Sequence, residues 1–428
     1  MAGKIASCVS EKGGRTFLVG GYVRDLLMGI ESKDIDIEIH GIKPEQLEEI
    51  LDGLGSRTQM GASFGVYGLR GYDIDIAMPR QEEATGRGHK DFKIYVDPFL
   101  GTYKAAMRRD FTINAMMQDV LTGEIIDHFA GREDLEKGII RHVNEHTFTE
   151  DPLRVLRAAQ FASRFEFEVA PQTVELSKSM DLTTLARERV MGELEKALQK
   201  AKHPSIFFSE LRNMEQLKDW FFALTLLIDD ESQNKWDEVM KLLDIAAKMR
   251  SQAENPQAFM TAVLTIYLGK LEDTSQQKKT IVKEFLEHIT NETKLIRYVV
   301  NMADLYMLPY SLAEDKADKK ETNRMFDKSA APSDLLLLAK ADRIACESYD
   351  EKQEAFLKER LLWYQKTMAK PCVMGGDLIK AGLKPGPDFS HILAYAHELH
   401  LADVDKDMAL RLTLDYAQQY NNDVKGEN

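Results

Sequence analysis

The stretch from Thr16 to His40, TFLVGGYVRDLLMGIESKDIDIEIH, constrains the fold of this chain more than any other. TFLV reads as a short buried strand, and Gly20-Gly21 breaks it. YVRDLLMGI then has the apolar spacing of a helix and stops at Gly29. DIDIEI is a second strand. Strand side chains repeat every two residues, so Asp34 and Asp36 point to the same face. Two carboxylates side by side repel each other, and a divalent cation between them lets both stay charged. A Gly-Gly turn running into a helix offers bare backbone N–H groups to phosphates. A phosphate cradle beside paired carboxylates suggests metal-assisted nucleotidyl transfer. Singly, each piece also reads plainly: a tight turn, a solvated strand face, an Arg24–Asp25 surface pair. Their order and close spacing favour the combination.

In that order the stretch resembles the signature of the class II tRNA nucleotidyltransferase/poly(A) polymerase family, GGxVRD followed by DxDI. The resemblance implies that the Gly20-Gly21 turn and Arg24 hold the incoming triphosphate. It implies that Asp34 and Asp36 bind magnesium, Mg2+. It also implies an α+β fold, with a polymerase-β-like nucleotidyltransferase head of small sheet and helices. An all-α neck, body and tail would follow.

The chain has 428 residues, for which two to four domains are expected. Its 44% of apolar residues suffices for packed cores and argues against disorder. The longest apolar run, WFFALTLLI from Trp220, is too short to span a bilayer, so no membrane partner is expected. MAGKIASCVSEKGG lacks the apolar core of a signal peptide. Cys8, Cys346 and Cys372 have no metal-ligand spacing and read as free thiols in a reducing cytoplasm. A net charge of −14 favours solubility, and nucleic-acid binding then requires basic residues clustered on one surface. The oligomeric state is not legible.

Residues 1 to about 130 are rich in glycine and short β-like runs: RTFLVGG, DIDIEI, VYGLR and YDIDIAM, with helices at 23–29 and 44–52. From about residue 133 the pattern is helical. The expected division is a head over 1–132, a neck over 133–200, a body over 201–330 and a tail over 331–428. The charged stretch from Ala313 to Asp334 reads as an exposed linker or loop. Val373 onward reads as a short helix between turns.

Four further segments extend the resemblance. In GYDIDIAMPR, Asp73 and Asp75 form a second acidic pair on one strand face. The resemblance assigns the third site carboxylate to Asp75, with Asp73 as runner-up; a solvated edge is the plain reading. A third carboxylate can help hold metal and accept the proton of an attacking hydroxyl. Gln81 to Ala106 is polar and long for a connection, and reads either as a surface loop or as the flexible segment that adjusts the pocket between additions. RRDFTINA brings two adjacent arginines, Arg108 and Arg109, as forked donors for a triphosphate, while Asp110 and Asn114 have the chemistry to read ribose hydroxyls.

In EDPLRVLRAAQF, Thr149 can cap and Pro152 suits a first helical turn. Asp151, Arg154 and Arg157 recur every three residues and lie close to one helix face. The resemblance makes EDxxR the protein template that selects the base. A carboxylate accepts from an exocyclic amino group and a guanidinium donates to a ring nitrogen or carbonyl, a pattern cytosine and adenine share. Gln160 stands where the family usually has Arg. RERVMGELEKAL matches a closing ERxxxE motif through Glu188, Arg189 and Glu193, and GREDLEKGIIRHV a hinge through Asp134 and Arg141. Beyond residue 200 the layout is similar to members with an HD-type phosphohydrolase domain. There Ile266-Tyr267 replaces the His-Asp pair, so no phosphohydrolase activity is expected.

The function expected from the resemblance is a transferase that adds CMP and AMP, as CCA, to the 3′ end of tRNA from CTP and ATP. The alternatives are a poly(A) polymerase and a partial enzyme adding only CC or only A. Poly(A) polymerases often carry a basic C-terminal tail, and the ending NNDVKGEN favours the tRNA enzyme.

Overall fold

The computed structural model describes residues 1–32, 34–59, 66–84, 92–228, 235–269, 274–386 and 388–426. The chain divides into two compact units, Met1–Phe222 and Ala223–Asn428.

The first unit begins with a helix, α1 (Ala2–Glu11), and the strand β1 (Arg15–Val19). Then come α2 (Gly21–Leu27), β2 (Ile35–His40) and α3 (Pro44–Leu54). β3 (Arg57–Gln59), β4 (Val66–Leu69) and β5 (Ile74–Ala77) follow. β6 (Arg80–Ala84) and β7 (Phe92–Val96) form a separate antiparallel hairpin. α4 (Thr102–Met107), β8 (Met117–Asp119), β9 (Ile125–Ile126) and α5 (Gly131–Lys137) complete the head. Seven strands make one mixed sheet in the order β3-β4-β5-β2-β1-β8-β9.

Alternation in β2 decides how this sheet is covered. Ile37 and Ile39 are buried on one face with Ile5 and Val9 of α1 and Leu47 and Leu51 of α3. Each such aliphatic side chain contributes roughly 1.5–3 kcal/mol by leaving water. The opposite face carries the polar residues of β2. Farther along, Phe17, Val19 and Met117 pack there beneath Ala105 and Ala106 of α4. The pairing of β2 with β5 is parallel and sets Asp36 opposite Asp75.

Helices dominate the rest of this unit: α6 (Glu145–Thr149), α7 (Leu153–Phe165), α8 (Pro171–Lys178) and α9 (Arg187–Lys200). α7 starts differently from the sequence reading. Pro152 is its N-cap, and the side chain of Asp151 accepts from the Leu153 N–H at 3.1 Å. Thr149 instead ends α6, its hydroxyl donating to the His146 carbonyl at 2.9 Å.

Two other expectations are corrected. The stretch from Gln81 to Ala106 contains the β6–β7 hairpin and most of α4; its residues 85–91 lie outside the described ones. The charged stretch from Ala313 to Asp334 is mostly helical, through Lys319–Lys328, and Thr322, Asn323, Met325 and Phe326 are buried. The charges occupy the other face of that helix, so a high charge count concealed an amphipathic repeat.

The second unit is all helical in its described residues. Ile266 and Tyr267 are fully buried in the helix Pro256–Gly269, where the tyrosine hydroxyl lies 3.5 Å from Cys346 Sγ. No helix among the described residues is long and apolar enough to cross a membrane.

Candidate active site

A cavity of about 340 Å³ opens on the polar face of the head sheet. Asp36, Glu38, Asp75, Arg80, Arg108 and Arg109 supply its polar lining, and Val19, Val66, Met78 and Pro79 part of its apolar lining. Parallel, in-register strands turn opposed side chains to the same side, so Asp36 and Asp75 sit side by side. Both are exposed. Although Asp36 is exposed as a residue, partial desolvation of its carboxylate at the cavity, then the charge of Asp75 and that of Asp34, raises its pKa against the pull of Arg109. Asp34 is exposed and lies just before β2. Asp73 likewise precedes β5 and is exposed. Among the described residues, no three His, Cys, Asp or Glu side chains converge as a complete metal-ligand set.

Gly20 has φ +67, in the left-handed region that favours glycine. A Cβ there would stand 2.9 Å from Arg109 Nη1 and 3.8 Å from Asp36 Oδ2. The turn therefore favours glycine for its backbone, and a side chain there would press on the Arg109 guanidinium. Gly21 follows as the first residue of α2, and a Cβ on it would meet Arg24 Nη2 at 3.2 Å.

The arginines divide between the cavity and the interior. Arg109 borders the cavity, with Nη2 donating to Glu38 Oε2 at 3.5 Å. Arg108 borders it too and donates to the Arg80 carbonyl. Arg24 turns inward and is only 3% exposed. It donates to Asp25 Oδ1 at 2.6 and 2.9 Å and to Asn114 Oδ1 at 2.6 Å. Its guanidinium carbon lies 4.7 Å from the Phe165 ring centroid and 5.2 Å from that of Phe161. Burial lowers its pKa against the opposing effect of Asp25.

Asp110 and Asn114 are buried beneath the site. Asn114 Nδ2 donates to Asp110 Oδ1 at 3.1 Å, and Arg157 donates to Asp110 Oδ2 from Nε at 2.8 Å and Nη2 at 2.7 Å. Burial alone would raise the Asp110 pKa; Arg157 and the Asn114 amide outweigh it and hold the carboxyl below the usual range. Arg157 also approaches Glu193 of α9 at 3.8 Å. Asp151 accepts from Arg189 Nη2 at 2.8 Å. Arg154 donates to the carbonyls of Thr147 and Arg108, each at 2.7 Å. The base-selecting residues of the sequence reading are thus tied through Arg154 to the RRD segment and through Arg189 and Glu193 to α9. Gln160 is 1% exposed, and its Nε2 has no hydrogen-bond partner among the described residues.

The sequence reading missed Glu38. It is buried, and its Oε1 lies 2.8 Å from His40 Nε2. Burial would raise its pKa, but the His40 hydrogen bond and then Arg109 bring it below the usual value. The signal was present, since the alternation of DIDIEIH continues through Glu38 and His40.

A family profile described as the Poly A polymerase head domain matches residues 16–141. The Multifunctional CCA protein of Nitrosospira multiformis is 34% identical over 301 residues, which cover 68% of this chain and 68% of that protein. The Multifunctional CCA protein of Haemophilus ducreyi is 37% identical over 268 residues, covering 59% of this chain. The match spans 63% of that relative's own length. Among solved structures, the Thermotoga maritima CCA-adding enzyme complexed with tRNA shares the fold, with a TM-score of 0.68 at 22% identity, covering 96% of this chain and 94% of that one. A CCA-adding enzyme in its apo form I gives 0.70 at 22% identity, over 96% and 92% of the two chains.

Proposed function

Because this chain belongs to the CCA-adding enzyme/poly(A) polymerase family, we propose that it is a template-independent nucleotidyltransferase acting on tRNA. It adds CMP and AMP to the 3′ end, taking CTP and ATP and releasing pyrophosphate. The observation that carries this reading is the Asp36–Asp75 pair facing Arg109 within one cavity. The 3′ hydroxyl of the RNA attacks the α-phosphate. An O–P bond forms, the bond to the pyrophosphate breaks, and Asp75 takes the hydroxyl proton. Arg109, with Arg108 beside it, meets the phosphates with forked donors.

The residues fit a magnesium ion. Asp36 and Asp75, aided by Asp34, offer hard oxygen donors, and desolvation together with the charge of Asp75 raises the Asp36 pKa. Magnesium commonly takes one or two protein carboxylates and fills its remaining positions with phosphate oxygens and water. When bound, it supplies charge stabilisation at the phosphates.

Asp151 and Arg154 supply the base-selecting edge, and the Arg189 and Glu193 contacts of α9 brace it. Arg24, Asp110, Asn114 and Arg157 act from beneath as a buried polar frame. In this reading residues 1–132 are the head, 133–200 the neck, and 201–330 and 331–428 a helical body and tail that receive the tRNA. The work is cytoplasmic.

The test is transfer of labelled CMP and AMP to tRNA lacking its 3′ end. Sequential C, C and A addition supports the proposal. Long A tracts, or C-only or A-only products, would replace it with a narrower reading. No transfer with magnesium present would overturn it.

A further inference from the structure

Asp36, Glu38 and His40 are spaced by two within β2, so one strand face carries two carboxylates and an imidazole in a row, with Asp34 just before them. A third carboxylate beside a site for a triphosphate is unfavourable by itself, because like charges repel. Its neighbours account for it. Glu38 Oε1 lies 2.8 Å from His40 Nε2, and Glu38 Oε2 lies 3.5 Å from Arg109 Nη2. Each oxygen therefore has its own partner. His40 is buried and meets the Phe17 ring edge-on, with centroids 5.2 Å apart. At the other terminal nitrogen of Arg109, a Cβ on Gly20 would stand 2.9 Å from Nη1. Arg109 Nε is buried with no hydrogen-bond partner among the described residues. Its guanidinium thus meets Glu38 through Nη2 and lies against the Gly20 turn through Nη1.

We infer that Glu38 is a positioning residue: held by His40, it fixes the Arg109 guanidinium in the orientation that meets the phosphates of the incoming nucleotide. This rests on the nucleotidyltransferase reading above. A donor already aimed at developing charge needs no reorganisation during reaction, so its loss weighs on the transition state more than on ground-state binding. Removing the negative charge of Glu38 also relieves repulsion of the triphosphate. The signature is therefore a fall in kcat without a rise in nucleotide KM.

The experiment is steady-state CMP transfer by the full chain to tRNA lacking its 3′ end. It compares wild type, Glu38→Gln, Arg109→Lys and the double variant. Glu38→Gln should lower kcat about tenfold or more, with KM for CTP unchanged or lower. Arg109→Lys keeps the charge but removes the planar fork that the pair orients. In that background Glu38→Gln should cost about twofold or less, the non-additivity expected of residues acting through one another. A kcat for Glu38→Gln within about twofold of wild type would overturn the inference. So would a raised KM at constant kcat, or an undiminished loss in the Arg109→Lys background. An inactive wild type overturns the function reading and takes this inference with it. An active wild type with an insensitive Glu38→Gln overturns this inference alone. Circular dichroism checks folding; should Glu38→Gln misfold, Glu38→Thr, which suits a strand, carries the same comparison.

Discussion

Two groups of carboxylates in the first unit are treated in opposite ways. In the sheet, Asp36 and Asp75 stand side by side, and the first is pushed towards protonation by burial and by its neighbour. Towards the neck, Asp110 and Asp151 each have an arginine, Arg157 and Arg189, at 2.7–2.8 Å. The neck carboxylates are satisfied by the protein and give the fold its polar frame. Asp36 and Asp75 instead keep a mutual repulsion that a divalent cation bound there would relieve. Pairing with arginine thus sets the neck carboxylates apart from the repelling pair on the exposed sheet face, where the proposed chemistry lies.

The sharpest way to break this contrast is to remove the sheet carboxylates. Asp36→Ala or Asp75→Ala should reduce nucleotidyl transfer to background, since several kcal/mol of charge stabilisation at phosphate is lost. Asp34→Ala should follow. Circular dichroism should show the fold retained. Near-normal activity in any of the three, with magnesium as the sole divalent ion, removes that residue from the site.

The neck should respond in the opposite currency. Asp110→Ala strands Arg157 and Asn114, and breaking such a pair costs about 3–5 kcal/mol of stability. Urea unfolding reads this directly. A loss under about 1 kcal/mol would mean that the frame is not held by this pair.

Asp151 tests the boundary between the two classes, because it is paired and yet assigned to base choice. Loss of one desolvated contact costs roughly 1–3 kcal/mol, or about one to two powers of ten in relative rate. Asp151→Ala should therefore lower the ratio of CTP to UTP incorporation by that much. If the ratio stays put while stability drops, Asp151 is only the cap of the Leu153 N–H and the partner of Arg189.

The smallest effect is on stability near the cavity. The folded-state pKa of Asp36 lies above its ordinary 3.8, so its charged form penalises folding. That penalty is present above the folded pKa and disappears as pH falls below the unfolded value. Without divalent cations, Asp36→Asn should then melt slightly higher than wild type at pH 7 and equal to it near pH 3. A lower melting temperature at pH 7 would mean that Asp36 is already compensated within the protein.

Much of this was legible in one dimension. The strand, Gly-Gly turn, helix and acidic strand of residues 16–40 form where their periodicities place them. The helical character of the chain after residue 133 is local in the same sense. What is local is readable because side-chain direction within one element depends only on its repeat. The period of two even held Glu38 and His40, though only their partners give them meaning. Tertiary structure alone decided the register that sets Asp36 beside Asp75, and the choice of Arg109 rather than Arg24 to border the cavity. Arg24 and Arg109 carry the same guanidinium in similarly conspicuous motifs. One is stacked on Phe161 and Phe165 and paired inside, while the other meets Glu38 at the cavity. Burial and partners come from residues distant along the chain. A sequence motif names the side chain, but the packing around it determines which charges remain unneutralised and available for chemistry.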